Sequence, residues 1–405
     1  MIRRGAWHQF GDRSQKQVLD QLEHGAGVGV VVSPRDLAFN NAEEYCQKYR
    51  DLGASVLYDH QIYVPGFSNA KLISYPGNEV RESVSTLKNL TSTGINLLSK
   101  AIEEINSRLG TVAVLAPAVV YEANRPDILE LNGQLFAAAS KAAKSLGRPV
   151  MATIVLGQSV TVSPGEISSV LAHATGLDAD GWYFAYEFSE DRIPRDRGNI
   201  VRCGDACLTL AATGKPVFHA YAGPMALLSL GFGASAAGIG HSQTLWQFNR
   251  NRFAPAAGNG GGGDAPPRFF STALWGTVVC PDELATIPAE FLDEILTTTE
   301  FSSVLSPTTF QTADWSRWEA GKHLVMAICQ AVQSIADAST VSVDCARFAE
   351  TVLNDANNLF GRMGAKSVVL REESRNLHQP EWLAALGKLQ ASRGDDYEFL
   401  ELLAS

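Results

Sequence analysis

Short apolar runs alternate with longer amphipathic segments over the first part of the chain. The clearest case is the stretch 215–253, where apolar runs at 217–221 and 234–239 each precede a segment whose apolar residues have helical spacing. Strands that are apolar on both faces are typical of parallel sheets buried under helices. Because parallel neighbours need a crossover, which is usually a helix, this stretch predicts two consecutive βα units.

The same pattern recurs often enough to predict a closed barrel. Helical patterns separate most of the apolar runs, and one closed domain accommodates eight such units better than an open doubly wound sheet, which is the alternative. We therefore expect a (βα)8 barrel over residues 1–280. The eight expected strands are 28–33, 56–58, 111–116, 150–156, 181–188, 217–221, 234–239 and 269–275.

The strand pattern stops near residue 281, and the remainder, 281–405, is predicted to be helical. This region either packs on the barrel or serves assembly, as a homo-oligomer or with a protein partner. The final residues carry an apolar stripe that we expect to dock on the chain's own domain. A glycine-rich segment, 259–264, is predicted to be a flexible lid or linker.

The charge composition of the chain limits the partners that it is expected to bind. The 405 residues carry a formal net charge of −10, so nothing global attracts nucleic acid or an anionic membrane. The local basic patch Arg192, Arg195, Arg197 and Arg202 is interleaved with acids and is predicted to be a solvated loop. The six cysteines form neither a disulfide framework nor a zinc pattern. With no signal-peptide core and no long apolar run, we expect a cytoplasmic protein that does not enter a membrane.

Barrel enzymes carry their reacting groups at the carboxyl ends of the strands. Asp59 and Glu187 each follow a strongly apolar strand, and such carboxylates can divide acid and base roles across a barrel mouth. They form the expected catalytic pair, together with His219; a metal bound with His219 or His241 is the alternative use. The other expected ligand-binding residues at strand ends are Arg35, Asp36, Gln61, Gln158, Tyr221, Gly238, Gly240 and His241.

The turn after the seventh expected strand, 234–239, has further features of a ligand pocket. His241 directly follows Gly240, which places it to touch a ligand bound there, whereas a histidine inside a strand, such as His219, is more often a satisfied core residue. The residues beyond could add an aromatic wall and an anion partner, or belong to an ordinary amphipathic helix. These residues are Trp246, Phe248, Arg250 and Arg252.

The sequence 233–240, GASAAGIG, resembles the late strand of phosphate-binding barrels such as the flavin-dependent and IMP-dehydrogenase-like groups. The resemblance implies an anion bound by backbone N–H groups at the glycine turn, and it keeps a flavin-type oxidoreductase open. Close packing of helix on strand is the other explanation of these small residues.

Asp59, Gln61, Gln158 and Glu187 are also loosely similar to the carboxylates and glutamines of tRNA-guanine transglycosylase-like barrels. That family transfers nucleobases on the same architecture. Its cysteine-rich zinc site has no counterpart here.

Taken together, the sequence favours an enzyme that binds a small polar or anionic, nucleotide-like or sugar-like, ligand. Paired carboxylates suit hydrolysis or glycosyl-type transfer. A non-catalytic barrel that serves as a subunit or scaffold of a complex is the alternative from another class. The sequence identifies no cofactor and assigns no metal ligands.

Overall fold

The computed structural model describes residues 2–64, 66, 70–78, 84, 89–189, 192–253, 266–302 and 317–404. Eight parallel strands form one sheet in the order β3-β2-β1-β8-β7-β6-β5-β4. The N–H of Val112 donates to the carbonyl of Val56 at 2.9 Å, which brings the two edge strands together and nearly closes the barrel. The strands are β1 Gly5–Gln9, β2 Gly29–Val32, β3 Ser55–Tyr58, β4 Val114–Leu115, β5 Val150–Leu156, β6 Gly181–Tyr186, β7 Val217–His219 and β8 Ala236–Gly240.

Helices cover the outside of this barrel. Local sequence sets their ends: α5 begins at Pro126, whose missing N–H is not needed there, and stops before Gly147, which adopts the left-handed conformation. The helices between and after the strands are α1 Gln15–Glu23, α2 Phe39–Asp51, α3 Ala70–Ile73, α4 Ser92–Leu109, α5 Pro126–Leu146, α6 Gln158–Thr161, α7 Pro164–Thr175, α8 Arg197–Ala211 and α9 Ala226–Gly231.

Two of the expected strands need correction. The first barrel strand is β1, which the sequence pattern missed because two of its five residues, His8 and Gln9, are polar although fully buried. The run expected to be the eighth strand, 269–275, lies outside the barrel. Its first half, β9 Arg268–Ser271, pairs antiparallel with β10 Gly276–Val279 in a separate two-stranded sheet.

Side-chain alternation divides each barrel strand between two cores. In β5, Met151 and Val155 belong to the core inside the barrel, while Ile154 and Leu156 pack outward against the helices. In β7 it is Phe218 that points inward, between Trp7 and Tyr183 at ring-centroid distances of 5.5 and 5.2 Å. The barrel is therefore a packed core whose chemistry is confined to its ends.

The C-terminal helices pack on the barrel. Gln333 accepts a hydrogen bond from the N–H of Ala6 at 3.2 Å, and the indole of Trp382 donates to the carbonyl of Pro194 at 2.8 Å. In the terminal helix, Tyr397 is buried while Leu402 stays exposed. These helices are α10 Ala289–Ile295, α11 Arg317–Ala338, α12 Ser342–Ala365, α13 Gln379–Ser392 and α14 Gly394–Ala404. The glycine-rich segment 259–264 lies outside the described residues.

Candidate active site at the barrel mouth

Asp59, directly after β3, is the centre of a group of tyrosines at the carboxyl end of the barrel. Its Oδ1 accepts from the Tyr63 hydroxyl at 2.7 Å and from the N–H of Gln61 at 3.1 Å. Its Oδ2 accepts from the hydroxyls of Tyr183 and Tyr221 at 3.2 and 3.0 Å. One carboxylate thus collects donors from β6, from the segment after β7 and from the loop after β3.

Burial gives this group its unusual electrostatics. Asp59 is 3% exposed, and burial raises the pKa of its carboxyl, while the hydrogen bonds from Tyr63, Gln61, Tyr221 and Tyr183 oppose that rise. The pKa of each tyrosine is well above its ordinary value, first because of burial and then because of the Asp59 charge. The phenols therefore stay protonated and act as donors to the carboxylate.

Backbone strain coincides with this group. Gln61 and Tyr221 have φ values of 52° and 55°, in the left-handed region that favours glycine. The turn at Gln61 aims its N–H at Asp59, and the turn at Tyr221 carries its hydroxyl to the same carboxylate. Such strain costs about 1–3 kcal/mol per residue and clusters at functional sites.

A chain of hydrogen bonds joins Asp59 to a second buried carboxyl, Asp36. Gln61 Nε2 donates to the Tyr221 hydroxyl at 3.2 Å, and Ser33 Oγ lies 2.6 Å from Gln61 Oε1 and 2.9 Å from Asp36 Oδ2. Ser33 has a single hydroxyl proton. That proton therefore serves either Gln61 Oε1 or Asp36 Oδ2 as its acceptor at any one time.

Asp36 is buried beside two arginines. Burial raises its pKa, against the opposing effects of Arg252, of the Ser33 hydroxyl and of Arg35. Hydrogen bonds thus link Asp36 through Ser33, Gln61 and Tyr221 to Asp59. Burial raises the pKa of both carboxyls of this chain.

The segment after β8 crosses the mouth and covers it with aromatic rings. Phe248 pairs with Glu187 in a parallel bridge, and its ring lies 5.2 Å from that of Tyr63 and 5.7 Å from that of Tyr221. Phe253 packs on Tyr63 at 5.1 Å. These rings exclude water from Asp59, which strengthens every electrostatic interaction of its carboxylate.

Two arginines lie beside this cover. The guanidinium groups of Arg35 and Arg252 are 5.6 and 5.8 Å from the centre of the Phe253 ring. Burial lowers the pKa of Arg252, the charges of Tyr221 and Asp36 raise it, and Arg35 lowers it. Two cations thus lie near the buried Asp36 carboxyl.

Glu187, the other expected catalytic carboxylate, has a different set of partners. Its Oε2 accepts from Arg250 Nε at 2.7 Å and from the N–H of Gln158 at 3.0 Å, and its Oε1 accepts from the N–H of Arg250 at 2.9 Å. Arg250 also pairs with Glu122. Glu187 therefore ties together the ends of β5 and β6 and the segment that crosses the mouth. Gln158 is exposed and its side chain donates to the carbonyl of Phe188.

The two candidate histidines point away from Asp59, into the layer between strands and helices. His219 contacts the Ser229 hydroxyl through Nδ1 at 2.7 Å, on the face of β7 opposite to Phe218. His241 Nε2 lies 3.1 Å from His8 Nδ1, and His8 Nε2 lies 2.8 Å from the carbonyl of Ala26. The carbonyl requires a donor, so His8 Nδ1 is an acceptor and His241 donates to it.

Buried neutral histidines make the fold sensitive to acid. Burial lowers the pKa of His8, His219, His323 and His378 to about 4 each. A lowered pKa means that their stability contribution is complete above the unfolded value near 6.5 and is lost as the pH falls towards 4. We expect the free energy of unfolding to fall between those values, by on the order of 1 kcal/mol per pH unit for a single histidine. Urea unfolding at pH 7.5, 6 and 5 tests this, and an unchanged free energy would contradict it.

The glycines of the expected anion turn are explained by close packing. A Cβ on Gly238 would lie 2.8 Å from Gln9 Oε1 and 3.2 Å from the N atom of Tyr221. A Cβ on Gly240 would collide with the side chain of Leu245 and lie 2.7 Å from its carbonyl oxygen. The space at Gly240 is thus filled by the chain itself.

Replacing Gly240 by alanine is expected to destabilise the protein by about 1–3 kcal/mol, the usual cost of overpacking. Gly361 in α12 is the matched control, because a Cβ there would meet nothing within 4 Å. Gly361→Ala is expected to be neutral or to stabilise by up to about 1 kcal/mol. Denaturant unfolding of both variants measures the two changes in stability. Equal changes for Gly240→Ala and Gly361→Ala would refute the packing explanation.

Several residues of the mouth were not selected from the sequence. Tyr63, Tyr183 and Ser33 donate within the Asp59 network, and Gln9 Oε1 lies 3.4 Å from the Tyr183 hydroxyl. A phenol or amide at an inward position of an apolar strand is the signal that could have identified Tyr183 and Gln9. Phe248 packs on Tyr221, and burial lowers the pKa of Arg252 while the charge of Tyr221 raises it.

No protein-family model matches the chain, and no curated protein matches it. Within the described part of the chain, no three His, Cys, Asp or Glu side chains are grouped so as to hold a metal ion. None of the helices found there is long and apolar enough to cross a membrane.

Proposed function

We propose that this protein is an enzyme that binds a small polar or anionic molecule at the barrel mouth, with Asp59 as its reacting group. The observation that carries the proposal is a buried carboxylate that collects three tyrosine hydroxyls at the carboxyl end of a barrel. Burying that charge and straining Gln61 and Tyr221 around it both cost stability. A site that is costly to the fold is expected where function requires it.

Asp59 would act as a base or nucleophile, and Asp36 would supply the acid. The hydrogen-bond chain between them would separate their protonation states, which is how one fold performs acid and base chemistry at one pH. Gln61 and Tyr221 would orient the ligand, and Arg35 and Arg252 would pair with its anionic group. This division suits hydrolysis or glycosyl-type transfer of a nucleotide-like or sugar-like substrate.

Glu187 has a positioning role in this proposal. Its carboxylate is neutralised by Arg250, and the pair fastens the segment that covers Asp59. His219 and His241 would support the barrel wall, since both are hydrogen-bonded between strands and helices.

The test is a turnover screen with nucleosides, nucleotides, glycosides and sugar phosphates, followed by mass spectrometry of the products. Wild type and Asp59→Asn are incubated in parallel at equal concentration. The proposal predicts one class of compound consumed by wild type and spared by the variant. Consumption of that compound by both proteins at equal rates would refute the role of Asp59.

A further inference from the structure

A polar cavity opens beside the mouth, between the segments that follow β6 and β8 and the β9–β10 hairpin. Its volume is about 250 Å³. Arg192 and Arg195 enter it from the segment before α8, and Arg268 enters it from β9. The rest of the lining is Ile193, Gln243, Trp246, Thr277 and one carboxylate, that of Glu373. Three guanidinium groups thus converge on one small space.

The cations of this cavity are only weakly neutralised. Arg268, whose side chain is 9% exposed, donates to the hydroxyls of Thr277 and Ser374 at 3.2 and 3.3 Å and to Glu373 at 3.3 Å. Arg195 lies 3.7 Å from Glu372. The Glu372 and Glu373 side chains are 76% and 54% exposed, so both ion pairs are screened by solvent and contribute little.

Arg192 adds a third cation to the cavity. It adopts a φ of 69°, its side chain is exposed, and it forms no ion pair with the residues that the structure describes. Burial lowers the pKa of Arg268, Glu373 and Glu283 oppose that effect, and the charge of Arg192 lowers it further. The two arginines therefore repel each other, and an anion between them would relieve that repulsion.

Trp246 supplies a second, independent feature. It is 2% exposed, and its indole N–H finds no acceptor within the described portion of the chain. A buried N–H without an acceptor costs about 1–3 kcal/mol. A cavity with surplus cations and an indole that lacks its acceptor is suited to a ligand rich in acceptor oxygens.

We propose that this cavity binds a phosphate group. Guanidinium forks match phosphate oxygens in bidentate geometry, and three of them can surround one group. The chain's net charge of −10 disfavours a long polyanion, so the phosphate belongs to a small phosphorylated molecule rather than to a nucleic-acid backbone. The site is built from residues other than those of the Asp59 network and can be tested separately from it.

The experiment is calorimetric titration with inorganic phosphate, ribose 5-phosphate and a single-stranded oligonucleotide. The test variant is Arg192→Gln/Arg195→Gln, since both side chains are partly exposed and removable without emptying a core. The control is Arg197→Gln, two residues along, which pairs with Glu381 on the surface at 2.9 Å and does not line the cavity. Circular dichroism confirms that each variant is folded.

Wild type and Arg197→Gln are expected to bind phosphate and ribose 5-phosphate alike, and the double variant is expected to bind both about tenfold or more weakly. Absence of binding by wild type, or equal binding by the double variant, would overturn the site. Binding of the oligonucleotide alone would overturn the small-molecule assignment.

Discussion

Replacing Asp59 by asparagine is expected to increase the free energy of unfolding at pH 7 by about 1–2 kcal/mol while reducing turnover by about 10²- to 10⁴-fold. The stability effect follows from the raised pKa of the buried carboxyl. A carboxyl whose folded pKa is raised favours folding below its unfolded value, near 3.9, and loses that contribution as the pH rises through the folded pKa. At neutral pH the ionised group therefore opposes folding, and an amide of the same shape removes that charge while replacing one acceptor oxygen by a donor NH2 group.

Urea unfolding of wild type and Asp59→Asn at pH 7 and at pH 3.5 measures this effect. The advantage of the variant should shrink at the lower pH, where the wild-type carboxyl is protonated in both states. The control is Asp127→Asn, an exposed carboxyl whose pKa is lowered, chiefly by its hydrogen bond from Arg125. A loss of stability in Asp59→Asn at both pH values would mean that the carboxylate serves the fold alone.

Replacing Arg250 by alanine is expected to cause a large loss in the free energy of unfolding. Arg250 neutralises Glu187, whose side chain is 5% exposed, through Nε and Nη2 at 2.7 Å. Breaking a buried pair by removing one partner typically costs 3–5 kcal/mol, because the other charge stays buried without compensation. With Arg250 itself 31% exposed, we expect about 3 kcal/mol for Arg250→Ala.

Two variants control this prediction. Arg125→Ala removes an exposed bidentate partner of Asp127 and should leave the free energy of unfolding almost unchanged. Glu187→Gln/Arg250→Ala removes both charges and should recover much of the stability lost in Arg250→Ala. An Arg250→Ala variant as stable as Arg125→Ala would show that Glu187 does not depend on this ion pair.

The sequence predicted the barrel because seven of its eight strands are short apolar runs that need no polar partner. It missed β1, where His8 and Gln9 interrupt the run, because their burial depends on distant partners such as His241 and Tyr183. It placed the eighth strand at 269–275 because a strand of the small β9–β10 sheet has the same local composition. The local pattern of apolar residues predicts a strand, but it does not determine to which sheet that strand belongs.

The candidate site was predictable in part, because local sequence shows which residues follow a strand but does not show their distant partners. Asp59, Gln61, Asp36 and Tyr221 were selected because they follow apolar strands, and the fold connects them in one network. The sequence could not predict that Glu187 has an arginine partner and that Asp59 has none of its own among the described residues. Arg250, the partner of Glu187, lies 63 residues away along the chain. The hydroxyls on Asp59 likewise come from separate segments.

The most direct test of Asp59 as the reacting group compares the turnover of Asp59→Asn and Glu187→Gln on the substrate that the screen identifies. Both substitutions remove one buried carboxylate charge and change few atoms. The account predicts that kcat/KM falls by about 100-fold or more in Asp59→Asn and by much less in Glu187→Gln, provided that each variant is folded. A Glu187→Gln variant that loses activity while Asp59→Asn retains it would contradict the account.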